Sequence, residues 1–276
     1  MRLFSIVVLA SLLVCPSFAQ SPAPVSPDTR TAVRQLIGDI MLDGKAYDYD
    51  RELADSIGPR LTGSDNYVHA VSWATEQFKS LGLTNVHTEP FTIPTTWEPE
   101  IAATGRIIEP RVQTLHIYSL GWSPSTPDNG VRGPVVYLKH LTTEEIASER
   151  DRLSGKIILL DRDSLGPEPK FAEILQSLDR IKDVHPLALL LVGGPNGTES
   201  TTALTFDGDL STFPTAQVGL EDVLLIKRML ERGPVTVEFF YKNRIRKNVE
   251  VNNVIAEIPG AEKPNEVVIV AGHLDS

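Results

Sequence analysis

The sequence contains one cysteine, Cys15, which lies close to the N-terminus. Without a second cysteine the chain cannot form an internal disulfide, and it cannot build a zinc site from thiolates. Any metal ion must therefore be held by histidine, aspartate and glutamate side chains.

Basic residues are also scarce, with 26 Lys and Arg against 36 Asp and Glu and a formal net charge of -10. Nucleic acid is therefore not expected as a partner. Beyond the first residues, no segment is long and apolar enough to cross a bilayer, so no membrane partner is expected after export. The hydrophobic content of 41% in 276 residues allows one large domain or two modest ones.

The first residues have the pattern of an export signal, which predicts a secreted or periplasmic protein. Arg2 precedes an apolar stretch, Leu3 to Val14, and Ser17 to Ala19 has the small-x-small pattern of a cleavage site. Lipidation of Cys15 is the alternative, but the preceding valine is bulkier than the residue that lipoprotein signals require. The sequence therefore predicts a signal peptide over residues 1–19.

Three helices are predicted before residue 83. The first, capped by Asp28 or Thr29, should pack against a neighbour through one apolar stripe. A second, short helix around Tyr49 to Ile57 leads into the loop Gly58–Ser64, whose two glycines and proline exclude a regular element. Ser64 or Asp65 should cap the third helix, and Gly82 should end it. The stripe of the first helix consists of Val33, Leu36, Ile37, Ile40 and Met41.

Strands dominate the prediction for the rest of the chain. Asn85 to Ile93 is the first, and a β-rich stretch broken by glycine and proline follows from about Pro110 to Tyr241. The four basic residues of Lys242 to Lys247 indicate a solvated linker. Asn248 to Pro259 and Glu266 to Ala271 are then predicted to return to the first sheet. Within the β-rich stretch the predicted strands are Thr114–Ser119, Val135–Leu138, Lys156–Asp161, Leu187–Val192 and Val235–Tyr241, and the predicted helices are Phe171–Lys182 and Glu221–Arg232.

The last ten residues combine an apolar run with a histidine and an aspartate. Val267 to Ala271 is typical of a buried strand, and side chains on an extended segment repeat every second residue. His273 and Asp275 should therefore point to the same side, where the imidazole could bind a metal ion while the carboxylate behind it holds and polarises the imidazole. A hydrogen-bonded pair without a metal is the alternative that this pattern alone leaves open.

Five motifs together resemble the family of secreted zinc-dependent exopeptidases typified by carboxypeptidase Q, also called plasma glutamate carboxypeptidase. They are Ile57–Ser64, Leu81–Pro90, Pro214–Ala216, Asn253–Gly260 and Gly272–Ser276. The resemblance implies an α/β zinc-exopeptidase domain with a mixed sheet, incomplete here, interrupted by a β-rich protease-associated domain. The expected boundaries are 1–19 for the signal peptide, 20–109 for the first part of the peptidase domain, 110–241 for the inserted domain and 242–276 for the return.

The same resemblance implies the roles of the site residues. His273 would bind one of two zinc ions, and Asp275 would orient it as part of the catalytic site. The other ligands of the family lie downstream of this motif, so the chain is predicted to be the N-terminal part of the enzyme and inactive by itself. A peptide substrate and a possible homodimer are also implied.

Two other functions remain open at this stage. One is an aminopeptidase of the same fold, and the other is a non-catalytic module that binds peptides or partners through the protease-associated domain. The remaining histidines are scattered singly and are not expected to form a ligand set. They are His69, His87, His116, His140 and His185.

Overall fold

The computed structural model describes residues 26–166, 179–193 and 209–276. The predicted signal peptide, and most of the helix predicted over Phe171–Lys182, lie outside these residues. The chain divides into two compact units, Met1–Glu52 and Leu53–Ser276. No helix among the described residues is long and apolar enough to cross a membrane.

The first unit contains helices α1, Pro27–Asp43, and α2, Ala46–Arg51. The cap of α1 is Ser26, whose Oγ accepts a hydrogen bond from the Thr29 amide at 3.1 Å, so the prediction of Asp28 or Thr29 was wrong. Proline at the first helical position explains this start, because the missing amide proton has no intrahelical acceptor there. The apolar stripe is exposed within the described residues, from 46% at Val33 to 77% at Met41, so the expected packing is not observed there.

The third predicted helix is confirmed as α3, Asp65–Ser80, in the second unit. The Ser64 Oγ accepts from the Tyr67 amide at 3.1 Å, which satisfies one free donor of the first turn. Tyr67, Ala70 and Ala74 form its buried face. A π-helix, Glu52–Ile57, precedes α3, and the residues between them form the predicted loop.

The described strands form one mixed sheet in the order β2-β1-β8-β4-β5-β6-β7-β3. β4, β5, β6 and β7 run parallel, whereas β8 pairs antiparallel with both β1 and β4. The predicted mixed α/β fold is confirmed. The strands are β1 Thr84–Glu109, β2 Gln113–Leu115, β3 Ile117–Ser119, β4 Val131–Tyr137, β5 Ile157–Leu160, β6 Ala188–Val192, β7 Thr215–Val218 and β8 Thr236–Glu257.

Helices cover both faces of the parallel strands. Alternate residues of β5 enter two different hydrophobic clusters, with Ile157 and Leu159 in one and Ile158 and Leu160 in the other. This division follows from the two-residue period of a strand. The described helices in this region are α4 Thr143–Ser148, α5 Arg150–Leu153, α6 Arg162–Leu165, a 3₁₀ turn Lys182–Val184 and α7 Leu220–Leu230.

The long pair β1–β8 corrects the prediction of a linker at Lys242–Lys247. These residues lie inside β8, which runs unbroken from Thr236 to Glu257 and pairs with β1 from Thr84 to Glu109. Two of the basic side chains are bound by groups on the partner strand: Arg246 Nη2 lies 3.1 Å from Glu98 Oε1, and Lys247 Nζ donates to Thr95 Oγ1 at 2.8 Å. Cross-strand pairing of charges thus stabilises a strand where composition alone indicated a loop.

The predicted boundary between residues 241 and 242 falls within β8. The strands on both sides of it belong to the same described sheet. The inserted protease-associated domain over 110–241 therefore stays a prediction.

Two further strand predictions need correction. His116 interrupts the strand predicted over Thr114–Ser119, which gives β2 and β3. Val267 to Ala271 form no strand, and the side chains from Val267 to Val270 are 81% to 93% exposed. A strand needs a partner for its backbone N–H and C=O groups, and no strand in the described part of the chain lies beside this run.

Candidate functional site

His273 and Asp275 form a hydrogen-bonded pair. The His273 Nδ1 lies 2.9 Å from Asp275 Oδ1, so the two side chains share one side of the chain as predicted. Since a carboxylate only accepts, Nδ1 carries the proton and Nε2 keeps its lone pair when the ring is neutral. The His273 side chain is 92% exposed, which leaves Nε2 open to a ligand.

The second carboxylate oxygen of Asp275 is bound by the loop that precedes α3. Thr62 Oγ1 donates to Asp275 Oδ2 at 2.6 Å. Partial burial acts to raise the pKa of the Asp275 carboxyl, but the hydrogen bonds from Thr62 and His273 outweigh it and hold that pKa below its ordinary value. The carboxylate therefore stays ionised, with each oxygen bound to a different partner.

Arg60, on the same loop, binds the main chain on both sides of Asp275. Its backbone N–H donates to Ser276 O at 2.9 Å, and its Nε donates to Leu274 O at 2.7 Å. The buried guanidinium also reaches the carbonyls of Gly58 and Leu53, at 3.4 Å and 3.5 Å. One arginine thus joins the start of the loop to the histidine-bearing segment.

The path of this loop depends on Gly58 and Gly63, whose φ angles are 83° and 84°. This left-handed conformation favours glycine. At Gly63 the space is also filled, because an added Cβ would lie 2.4 Å from Thr96 Cγ2 on β1. The Gly63 carbonyl accepts from Arg246 Nη2 of β8 at 2.7 Å, which fixes the loop to the long strand pair.

Tyr67 connects the first turn of α3 to β8. Its hydroxyl donates to the Asn252 carbonyl at 2.8 Å. Burial, followed by the negative charge of Asp275, raises the pKa of the Tyr67 phenol, so it stays protonated near neutral pH. The charge of Asp275 therefore affects Tyr67 as well as its two hydrogen-bond partners, Thr62 and His273.

The described residues do not by themselves complete a zinc site. They contain no group of three or more His, Cys, Asp or Glu side chains placed to hold one ion. A catalytic zinc usually takes three protein ligands. At the observed geometry His273 offers one nitrogen, and Asp275 is already engaged with that ring and with Thr62.

A second histidine–aspartate pair was missed from the sequence. His116 Nδ1 lies 3.1 Å from Asp222 Oδ2, and the same oxygen accepts from the His116 backbone N–H at 2.7 Å. The residues are 106 positions apart, so no local pattern indicated the contact. His69, His140 and His185 are all exposed, and within the described residues none of them belongs to a group of three or more metal-binding side chains.

Another polar cluster lies where β4 and β5 end. Lys227 of α7 binds Asp161, lies 3.3 Å from Asp163 Oδ2, and sits 4.4 Å from the ring centre of Tyr137. The Tyr137 hydroxyl donates to Asp161 Oδ1 at 2.9 Å. Burial acts to raise the pKa of Asp161, but its bonds from Lys227, Ser164 and Tyr137 lower it overall. The cluster braces α7 against the sheet.

Comparison with known proteins gives several sequence relatives and solved structures, although no family model matches the chain. Carboxypeptidase Q of Bos taurus is 29% identical over 252 residues, which cover 88% of this chain and 52% of that protein. The Homo sapiens carboxypeptidase Q is 27% identical over 252 residues, which again cover 88% of this chain and 52% of that protein. The chain therefore spans about half the length of the curated relatives it matches.

Among solved structures, a peptidase M28 precursor from Shewanella amazonensis SB2B has a TM-score of 0.73 and 27% sequence identity. The match covers 91% of this chain and 59% of that one. A zinc aminopeptidase from Bacillus subtilis has a TM-score of 0.56 at 17% identity, over 79% of this chain and 47% of that one, which is a likeness of fold alone. The resemblance to carboxypeptidase Q is confirmed, and the relatives are peptidases.

Proposed function

We propose that this chain contributes one metal-binding edge to a secreted zinc-dependent exopeptidase that hydrolyses dipeptides or short peptides. His273 is the zinc ligand, and Asp275 is the carboxylate that orients it. The proposal rests on one observation above the others: Nδ1 of an imidazole that is 92% exposed lies 2.9 Å from a carboxylate oxygen. A carboxylate behind a histidine fixes its tautomer and increases its basicity toward a metal.

The chemistry follows from the division of tasks at this edge. A bound zinc ion would supply a Lewis acid and a hydroxide formed from bound water at neutral pH. In this chain, His273 Nε2 is the atom available to hold such an ion. Asp275 keeps the proton on Nδ1, and the loop behind it keeps the carboxylate in place. Further ligands and a general base are required before peptide hydrolysis is possible.

A carboxypeptidase is favoured over an aminopeptidase of the same fold. The relatives found by sequence are carboxypeptidases at 27% to 29% identity. The aminopeptidase structures are 17% to 21% identical and support only the fold. The domain division at 110–241, a second zinc ion and a homodimer belong to the same proposal and rest on the resemblance. Export also belongs to it, and rests on the signal-peptide pattern of residues 1–19.

The test is a zinc titration of the 276-residue chain, observed through the imidazole nitrogens of His273 by NMR. We expect zinc to perturb Nε2 with micromolar or weaker affinity, because His273 is the one nitrogen ligand that the described residues place at this edge. Asp275→Ala should weaken that affinity about 10- to 100-fold. Dipeptide hydrolysis by this chain is not expected.

The control is His69→Ala, which removes another exposed imidazole and should leave the His273 response unchanged. If millimolar zinc left the imidazole nitrogen signals of His273 unchanged, the ligand assignment would be overturned. Dipeptide turnover that is lost in His273→Ala would instead overturn the expectation that this chain is inactive alone.

A further inference from the structure

The loop Gly58–Ser64 contacts the histidine-bearing segment at three points, all centred on Asp275. Thr62 binds the Asp275 carboxylate at 2.6 Å. Arg60 binds the main-chain oxygens of Leu274 and Ser276, the residues immediately before and after Asp275. Both the side chain and the flanking backbone of Asp275 are thereby held by residues more than 200 positions earlier in the chain.

We propose that Thr62 and Arg60 are positioning residues for His273, with Thr62 fixing the Asp275 carboxylate and Arg60 fixing the main chain on either side of it. The proposal rests on the proposed function, because positioning matters here through the zinc ligand. Neither residue is catalytic, since each acts through Asp275.

His273 is too exposed for packing to set the orientation of its ring. With 92% of the side chain in solvent, almost no packing restrains the ring, and its hydrogen bond to Asp275 sets both orientation and tautomer. Asp275 is itself on a segment without secondary structure, whose preceding apolar run is exposed. Within the described part of the chain, Thr62 and Arg60 therefore supply the anchor that the sheet does not.

The loop is rigid enough for this task because it is bound to two other elements, β8 and α3. The Gly63 carbonyl is held by Arg246 of β8, and Ser64 caps α3. Asn66 Nδ2 of α3 donates to the Pro59 carbonyl at 2.9 Å. A side chain extending from such a loop loses little freedom when it binds Asp275, so the contact costs little conformational entropy.

The experiment measures the tautomer of His273 in the metal-free 276-residue chain, from the imidazole ¹⁵N shifts of the neutral ring. Thr62→Val removes the hydroxyl and keeps the branched shape. The ratio of the Nδ1–H to the Nε2–H form should then fall about two- to tenfold, the range that one hydrogen bond of net ~0.5–1.5 kcal/mol provides. Thr62→Ser restores a hydroxyl and should restore the ratio.

Thr75→Val is the matched control, because its hydroxyl binds the Val71 carbonyl within α3 and does not contact Asp275. This variant should leave the His273 tautomer unchanged. Arg60→Lys keeps the backbone contact to Ser276 but loses the guanidinium Nε, and it should shift the ratio in the same direction as Thr62→Val. An unchanged ratio in a folded Thr62→Val chain would overturn the proposal.

The zinc titration keeps the two proposals separate. If Thr62→Val changes the tautomer ratio but zinc does not change the His273 signals, the positioning contact is supported and the metal role fails. If zinc binds His273 equally in the wild type and in Thr62→Val, with no change of tautomer, the ligand assignment is supported and the positioning role fails.

Discussion

The two histidine–aspartate pairs have the same local contact and opposite surroundings. In both, an exposed imidazole places Nδ1 about 3 Å from a carboxylate oxygen: 3.1 Å for His116 and Asp222, and 2.9 Å for His273 and Asp275. Asp222, whose side chain is 10% exposed, also accepts from the His116 backbone and lies in the first turn of α7. Asp275 is 34% exposed and is held by a distant loop.

This difference indicates what each carboxylate does for the molecule. Asp222 satisfies a main-chain donor and sits at the positive end of a helix, so its contribution is to folding. Asp275 binds no described main-chain donor outside its own residue, and the loop binds it from behind its histidine. The same pair of residue types therefore serves as a structural joint at one place and as a support for an open nitrogen at the other.

The largest effect should come from Gly63→Ala, which breaks the support of one pair and spares the other. The new methyl group would meet Thr96 Cγ2 at 2.4 Å in a backbone conformation with φ of 84°. We expect the free energy of unfolding to fall by about 2–4 kcal/mol, from the clash and the strain together. Urea unfolding of the chain measures it.

Gly155→Ala is its control, because Gly155 has a φ of 64° and nothing within 4 Å of an added Cβ. It should cost only about 1 kcal/mol, the price of the conformation alone. Equal losses in the two variants would mean that the close approach to Thr96 contributes nothing.

The next effect separates the two carboxylates. Asp222→Ala should lower the free energy of unfolding by roughly 1–3 kcal/mol, because it leaves the His116 N–H without its acceptor and removes an anion from the start of α7. Asp275→Ala should cost less than about 1 kcal/mol, since it loses contacts between side chains at a partly exposed position. Chemical denaturation of both variants, side by side, gives the comparison, and the reverse order would contradict it.

The smallest effect concerns zinc. Each imidazole offers a single nitrogen with a carboxylate behind it, so their affinities in this chain should differ by less than about tenfold. Resolved NMR signals of both rings in one zinc titration give both affinities. A His273 affinity in the nanomolar range, with His116 remaining weak, would show that further ligands gather at His273.

Sequence patterns within a few residues predicted much of this fold, but they could not predict contacts between residues far apart in the chain. The cap of α3 at Ser64, the end of that helix near Gly82 and the shared side of His273 and Asp275 all depend on neighbours within a few positions. The strand through Lys242–Lys247 depends instead on acidic partners on β1. A rule that assigns charged runs to loops fails where the opposite charge arrives from elsewhere in the chain.

The site shows the same division. Gly58–Ser64 was expected to be a shaped loop, and its glycines do take left-handed angles. The bond between Thr62 and Asp275 spans 213 positions and the pair of His116 with Asp222 spans 106, so neither leaves a local signature. The prediction of a buried strand at Val267–Ala271 was wrong for a related reason: hydrophobicity predicts burial only where a strand lies alongside, and no described strand lies beside this run.

The pairing of β1 with β8 brings together the two ends of the chain segment between them, so the length of its connections has little effect on the entropy of closing that segment. The two strands meet from Thr84 with Glu257 to Glu109 with Thr236, so everything between Glu109 and Thr236 is one closed excursion. The entropy of closing such an excursion grows only with the logarithm of its length, and doubling it would cost about 0.6 kcal/mol. The enclosed segment also contains β2 to β7, so this small entropic cost applies to residues added in the connections between those strands, while the strand pair keeps its register and supports the loop at Arg60.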